Sequence, residues 1–104
     1  MDFPVEITLK RPITVDEETF TKLVFDEPDF GTNIAVEEAE KPAEQSVLLL
    51  AGMAGVDRAV ILKIKNQDYL QVEERVLGPY QAHMKAQMKS RAGKSSGNGA
   101  KAKS

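Results

Sequence analysis

Sixteen carboxylates, one histidine and no cysteine are the groups from which this 104-residue chain could build a reactive site. Asp16-Glu17-Glu18, Asp26-Glu27 with Asp29, and Glu37-Glu38 bring carboxyl groups close in sequence, the raw material of paired acid–base chemistry. Acidic runs of this kind are more simply the solvated surface of turns and helices, and they are read so here. None has the D-x-[DN]-x-[DN]-G spacing of a calcium loop. The absence of cysteine rules out disulfides and thiolate metal sites. His83 has no neighbour that would make it a base, and Gly52-Met53-Ala54-Gly55 lacks the spacing of a phosphate cradle. The expectation is a protein that is not an enzyme and holds no cofactor and no metal.

The remaining chemistry is that of apolar surface. Gln45 to Ala54 is the greasiest stretch. At a helical repeat, Val47, Leu50, Ala51 and Ala54 share one side, while Leu48, Leu49 and Met53 cover the others. Such a helix must be buried on several sides or dock to a partner. From Tyr69 a second pattern runs through Leu70, Val72, Val76, Leu77, Tyr80, Met84 and Met88, with Glu73 breaking it. The residues after Pro79 exceed what the core of so small a domain needs to cover. Methionine also adapts to varied partner shapes. The candidate partner-binding residues are therefore Leu48, Leu49, Leu77, Tyr80, Met84 and Met88, although core packing also explains Leu77.

Charge divides the chain in two. Residues 1–84 hold all 16 acids against 8 bases, and residues 85–104 hold 6 bases and no acid, leaving a net −2. A domain over residues 1–89 and a disordered basic tail over 90–104 are expected, because the tail has no large apolar residue and is rich in Gly, Ser and Lys. That tail opens an alternative: a small regulator or adaptor that binds nucleic acid through its cations. With no aromatic to stack on a base, the tail makes nucleic acid the weaker reading. No apolar run reaches the roughly 20 residues of a membrane span. Met1-Asp2-Phe3-Pro4 does not read as the start of a signal peptide, so a cytoplasmic protein is expected.

These groups need elements to hold them. Val5 to Lys10 alternates apolar and polar, and Thr19 to Phe25 is β-branched and aromatic, so the two read as strands of a hairpin within residues 4–25. Arg11 to Glu18 is expected to turn the chain. A helical part over 32–89 follows, opening with a short helix capped by Thr32 or Asn33 and carrying Glu37 and Glu38 in its early turns. Pro42 then starts the apolar helix, and Gly55 stops it in the left-handed conformation. Val56 to Ile64 reads as a short extended link, Asn66 as the cap of the last helix, and Gly78-Pro79 as a kink or close restart. The fold class is α+β: an N-terminal hairpin packed on two to three helices. Self-association is an open possibility, since a lone hairpin and an all-round apolar helix both invite it.

The order of segments resembles a known family. It is similar to the tail assembly chaperones of contractile-tailed bacteriophages, the protein E or Mu-like type. The resemblance rests on Thr8-Leu9-Lys10-Arg11-Pro12-Ile13, on Leu23-Val24-Phe25-Asp26-Glu27-Pro28, on Ser46 to Gly55, and on Leu62-Lys63-Ile64-Lys65-Asn66-Gln67-Asp68-Tyr69. It covers about residues 5–80, and departs from the family pattern in lacking a Gly in the first turn and in having Asp26 where Arg is common. The resemblance implies a non-catalytic factor of the host cytoplasm. Its implied partner is the tape-measure protein, held soluble while tail tube subunits polymerise around it, and the factor is not retained in the mature virion. It further implies a longer form made by ribosomal frameshifting, with that form and the tail tube protein as additional partners.

Overall fold

A computed structural model describes the backbone of residues 1–96 and the side chains of residues 1–88. Two antiparallel strands, β1 (Val5–Val15) and β2 (Glu18–Phe25), form a hairpin. Five helices follow: α1 (Phe30–Glu38), α2 (Pro42–Ala54), α3 (Arg58–Leu62), α4 (Asn66–Val72) and α5 (Gly78–Ser96), with a π turn, Glu73–Leu77, joining the last two. The α+β class holds, with more helices than the two or three expected. The end of the expected disordered tail, residues 97–104, lies outside the described residues.

The hairpin keeps its expected bounds, but β1 runs further than the alternation of Val5 to Lys10 suggests. Val5 pairs with Phe25 and Thr8 with Lys22, but Ile13 pairs with Phe20 and Val15 with Glu18. Leu9 to Pro12 therefore stand opposite Thr21 alone, and β1 bulges there. Pro12, which has no N–H to give a ladder, sits inside that bulge. Arg11 to Val15, expected as a turn, continues the strand, because Ile13 and Val15 resume the alternation beyond the bulge. The turn proper is Asp16-Glu17, both at positive φ (49° and 69°). This is the conformation a two-residue turn needs to follow the twist of its strands.

Asp29, not Thr32 or Asn33, caps α1. Its carboxylate accepts from the Thr32 N–H and the Thr32 hydroxyl, both at 2.8 Å. Glu37 and Glu38 thereby fall in the last turn of α1 instead of its early turns. Helix α2 starts at Pro42 and stops at Gly55 (φ 66°), as expected. The expected link Val56 to Ile64 is instead built around helix α3. Asp57 caps it through the Ala59 N–H (2.9 Å), while Val60 and Ile61 turn into the core. Its β-branched residues are what made it read as extended.

The core joins one face of the hairpin (Ile7, Leu9, Ile13, Leu23, Phe25) to Leu50 and Met53 of α2, Val60 and Ile61 of α3, and Val72, Val76 and Leu77 near the π turn. The π turn is the sequence's answer to Pro79. Gly78 donates to the Glu73 carbonyl, one residue further back than in an α-helix. The widened turn brings Val76 and Leu77 together into the core and leaves Glu73 in solvent.

Candidate functional site

The β1 bulge strands two backbone donors that β2 cannot satisfy. Asp68, in the first turn of α4, satisfies both: its two carboxylate oxygens accept from the N–H groups of Lys10 and Arg11, each at 3.0 Å. It is fully buried, the one charged residue in the core among the described residues. A buried carboxylate is tolerated only with such partners. The sequence places Asp68 near the positive end of a helix but gives no sign that its side chain reaches 58 residues back. The clasp fixes α4, and through it the start of α5, against the strand pair.

The six residues singled out as partner-binding separate into two groups. Leu49, Leu77 and Tyr80 are buried in the core of this chain. For these three the expectation is corrected: they close on the domain itself, Leu49 from α2, Leu77 from the π turn and Tyr80 from the first turn of α5. Leu48 and Met84 are half-buried, and Met88 is 64% exposed. Tyr80 and Met84 do come together. They line one open groove of about 380 Å³ with Phe3, Pro28 and His83. The Tyr80 ring lies 6.4 Å from that of Phe3, tilted by 57°. Burial, and then the Glu27 carboxylate, push the Tyr80 phenol up, so it stays a neutral, mostly apolar wall. Beyond Met84, residues 85–88 are all exposed, so α5 leaves the body there. Leu49 reaches a different, smaller cleft of about 170 Å³ with Val36, Pro42 and Gln81.

Sequence reasoning missed other exposed apolar groups. Phe30 (77% exposed) and Ile34 (40%) lie one turn apart on α1, and Leu62 and Leu70 are exposed near α4. The i, i+4 spacing of Phe30 and Ile34 was the available signal. It goes unread once the helix is started at Thr32.

Among the described residues no group of carboxylates and His83 could hold a metal ion, and no helix is long and apolar enough to cross a membrane. The features that recur are packing surfaces and a clasp that positions them. The model of the family described as phage tail assembly chaperone proteins, E, or 41 or 14, matches residues 6–78. The chain is a phage tail assembly chaperone by family. No curated protein matches it, and no solved structure does. The family match takes in the bulge, the clasp at Asp68, Leu48, Leu49 and Leu77. It ends where α5 begins, so Tyr80, Met84 and Met88 lie beyond the part this chaperone shares with its family model. Membership points to a role in assembly and to tail proteins as partners.

Proposed function

We propose that this chaperone binds the tape-measure protein of a contractile-tailed, Mu-like phage and holds it soluble while tail tube subunits polymerise around it, with no covalent bond made or broken. The observation that carries the reading is the strip where α5 leaves the body. Met84 is half-buried beside the groove of Phe3 and Tyr80, and Met88, one turn further, stands in solvent. Two methionines at the lip of a groove walled by the rings of Phe3 and Tyr80 make a surface that accepts helices of differing shape. The acidic body behind it supplies solubility and repulsion between copies. The work is done in the host cytoplasm, and the protein is absent from the mature virion. A longer frameshifted form sharing this domain, and the tail tube protein, complete the set of partners.

Co-expression with tape-measure fragments tests the reading. The wild type is expected to raise the soluble fraction of the fragment several-fold, and Met88→Asp with Met84→Ser to remove most of that gain while the fold, followed by circular dichroism, is kept. Unchanged precipitation in the presence of wild type, or full rescue by the double variant, overturns it.

A further inference from the structure

The eight bases of residues 1–84 are not spread evenly over the body. Lys22 and Arg58 are engaged in ion pairs with Glu6 and Glu44. Lys10, Arg11, Lys63 and Lys65 are exposed, and no ion pair among the described residues involves them. The clasp is what collects these four. By accepting from the Lys10 and Arg11 N–H groups, Asp68 holds the bulge against the first turn of α4, and Lys63 and Lys65 lead into that turn. Half-buried Ile64 packs on the core between the two lysines and leaves both in solvent.

Between β1 and the α3–α4 connection lies an open cleft of about 600 Å³, lined by Pro12, Thr14, Leu62, Lys63, Ile64 and Lys65 among others. Its wall is mixed, polar groups sharing it with aliphatic ones, and Leu62 is 57% exposed. The Lys63 ammonium reaches only the Thr14 carbonyl, at a long 3.4 Å. No carboxylate lines the cleft. Asp68, the acid of α4, is fully buried and engaged with the two amides. In a body that holds sixteen carboxylates, the sign of the surface is locally reversed here. The bulge offers no ladder to an added strand, since its amides are taken, so side chains must recognise whatever enters.

Cations set around aliphatic side chains fit a segment with the reverse arrangement, carboxylates flanking a leucine-like anchor. We propose that this cleft docks an acidic segment of a partner protein. Its carboxylates meet Lys63 and Lys65, with Lys10 and Arg11 beside them, and its aliphatic side chain lies on Leu62 and Ile64. Nucleic acid fits less well. No aromatic side chain lines the cleft to stack a base, and the surrounding carboxylates repel a long polyanion. The cleft shares no lining residue with the groove of Phe3, Tyr80 and Met84. One copy can therefore hold an acidic partner here while α5 engages a client, and the proposal stands whether or not that client is a tape-measure protein.

Fluorescence anisotropy of a labelled peptide repeating Glu-Glu-Leu, titrated with the full chain at low salt, tests the proposal. Saturable binding is expected. Lys63→Glu with Lys65→Glu should weaken it by about tenfold or more. Lys101→Glu with Lys103→Glu removes the same charge from the other basic region of the chain, and should change it by less than about twofold if the cleft is the seat. Leu62→Ser should weaken the Glu-Glu-Leu peptide about fivefold and leave an all-Glu peptide of equal charge unaffected, which separates a seat for an aliphatic anchor from bulk attraction. Positions 62, 63 and 65 are exposed, and circular dichroism checks that the variants fold. No binding of the peptide, or a loss from the tail pair as large as from the cleft pair, overturns the proposal. So does indifference of the Glu-Glu-Leu peptide to Leu62→Ser, or tighter binding of an oligothymidylate of equal charge.

Discussion

Asp68→Asn separates a positioning role from a merely solvated carboxylate. The substitution keeps the shape of the side chain and one acceptor oxygen, but turns an NH2 donor towards the N–H of Lys10 or Arg11. One charge-assisted hydrogen bond of 3.0 Å is lost, and a partly buried donor is left without an acceptor. A hydrogen bond to a charged group contributes about 1.5–3 kcal/mol, and a stranded donor costs about 1–3 kcal/mol. Relief from burying a charge offsets part of this. The expected net loss is about 2–4 kcal/mol, a large share of the roughly 5–15 kcal/mol that holds a small domain folded. Urea unfolding followed by circular dichroism reads it as a lower midpoint at unchanged slope. Amide exchange reads its origin: the Lys10 and Arg11 N–H groups should lose protection more than the paired residues Glu6 to Thr8. A change below about 0.5 kcal/mol, the size of an ordinary surface substitution, would refute the clasp. So would a uniform loss of protection along β1.

Replacing Asp16-Glu17 by Asn-Gly should stabilise the hairpin by about 0.5–1 kcal/mol, since Glu17 is ill at ease with positive φ while Asp16 already tolerates it, and thermal unfolding will show the gain. Gly52→Ala should lower the melting temperature despite alanine's better helix propensity of about 1 kcal/mol, because overpacking costs about 1–3 kcal/mol and the Thr32 Cβ would stand only 2.8 Å from the new atom. Adding Thr32→Gly should recover part of that loss. The Asp29 carboxyl lies below its ordinary pKa, held there first by the Thr32 N–H and then by the Thr32 hydroxyl. Its contribution is therefore present above the ordinary carboxylate range and lost as pH falls through the lowered value. Asp29→Asn should remove that component from an acid titration of stability.

What could be read from the sequence was local. Pro42 and Gly55 announce the ends of α2, the alternation of Val5 to Lys10 announces a strand, and Pro79 announces an irregular turn, because each effect is decided within a few residues. The errors came where a distant group decides. Arg11 to Val15 stays in β1 because Asp68 takes up the donors of the bulge. The start of α1 is the exception, a local signal masked by another: Gly31 reads as a turn, yet Asp29 takes the Thr32 N–H three residues on and opens the helix at Phe30. Leu49, Leu77 and Tyr80 differ from Met88 only in what lies opposite them in space. A helical pattern identifies an apolar face, but which of its residues the strand pair covers is settled by tertiary packing. For the same reason the acidic runs could be placed on the surface, while the pairing of the Glu37-Glu38 face with Phe30 and Ile34 required the start of α1.

The reach of Asp68 also sets a timetable for the newborn chain. The hairpin emerges from the ribosome first, as two strands with one greasy side and a bulge whose amides have nothing to hold them, a combination with little stability of its own. Only when residue 68 has cleared the exit tunnel can that opening segment settle. A factor whose family shepherds other proteins therefore keeps its own first strands waiting until α4 arrives to hold them.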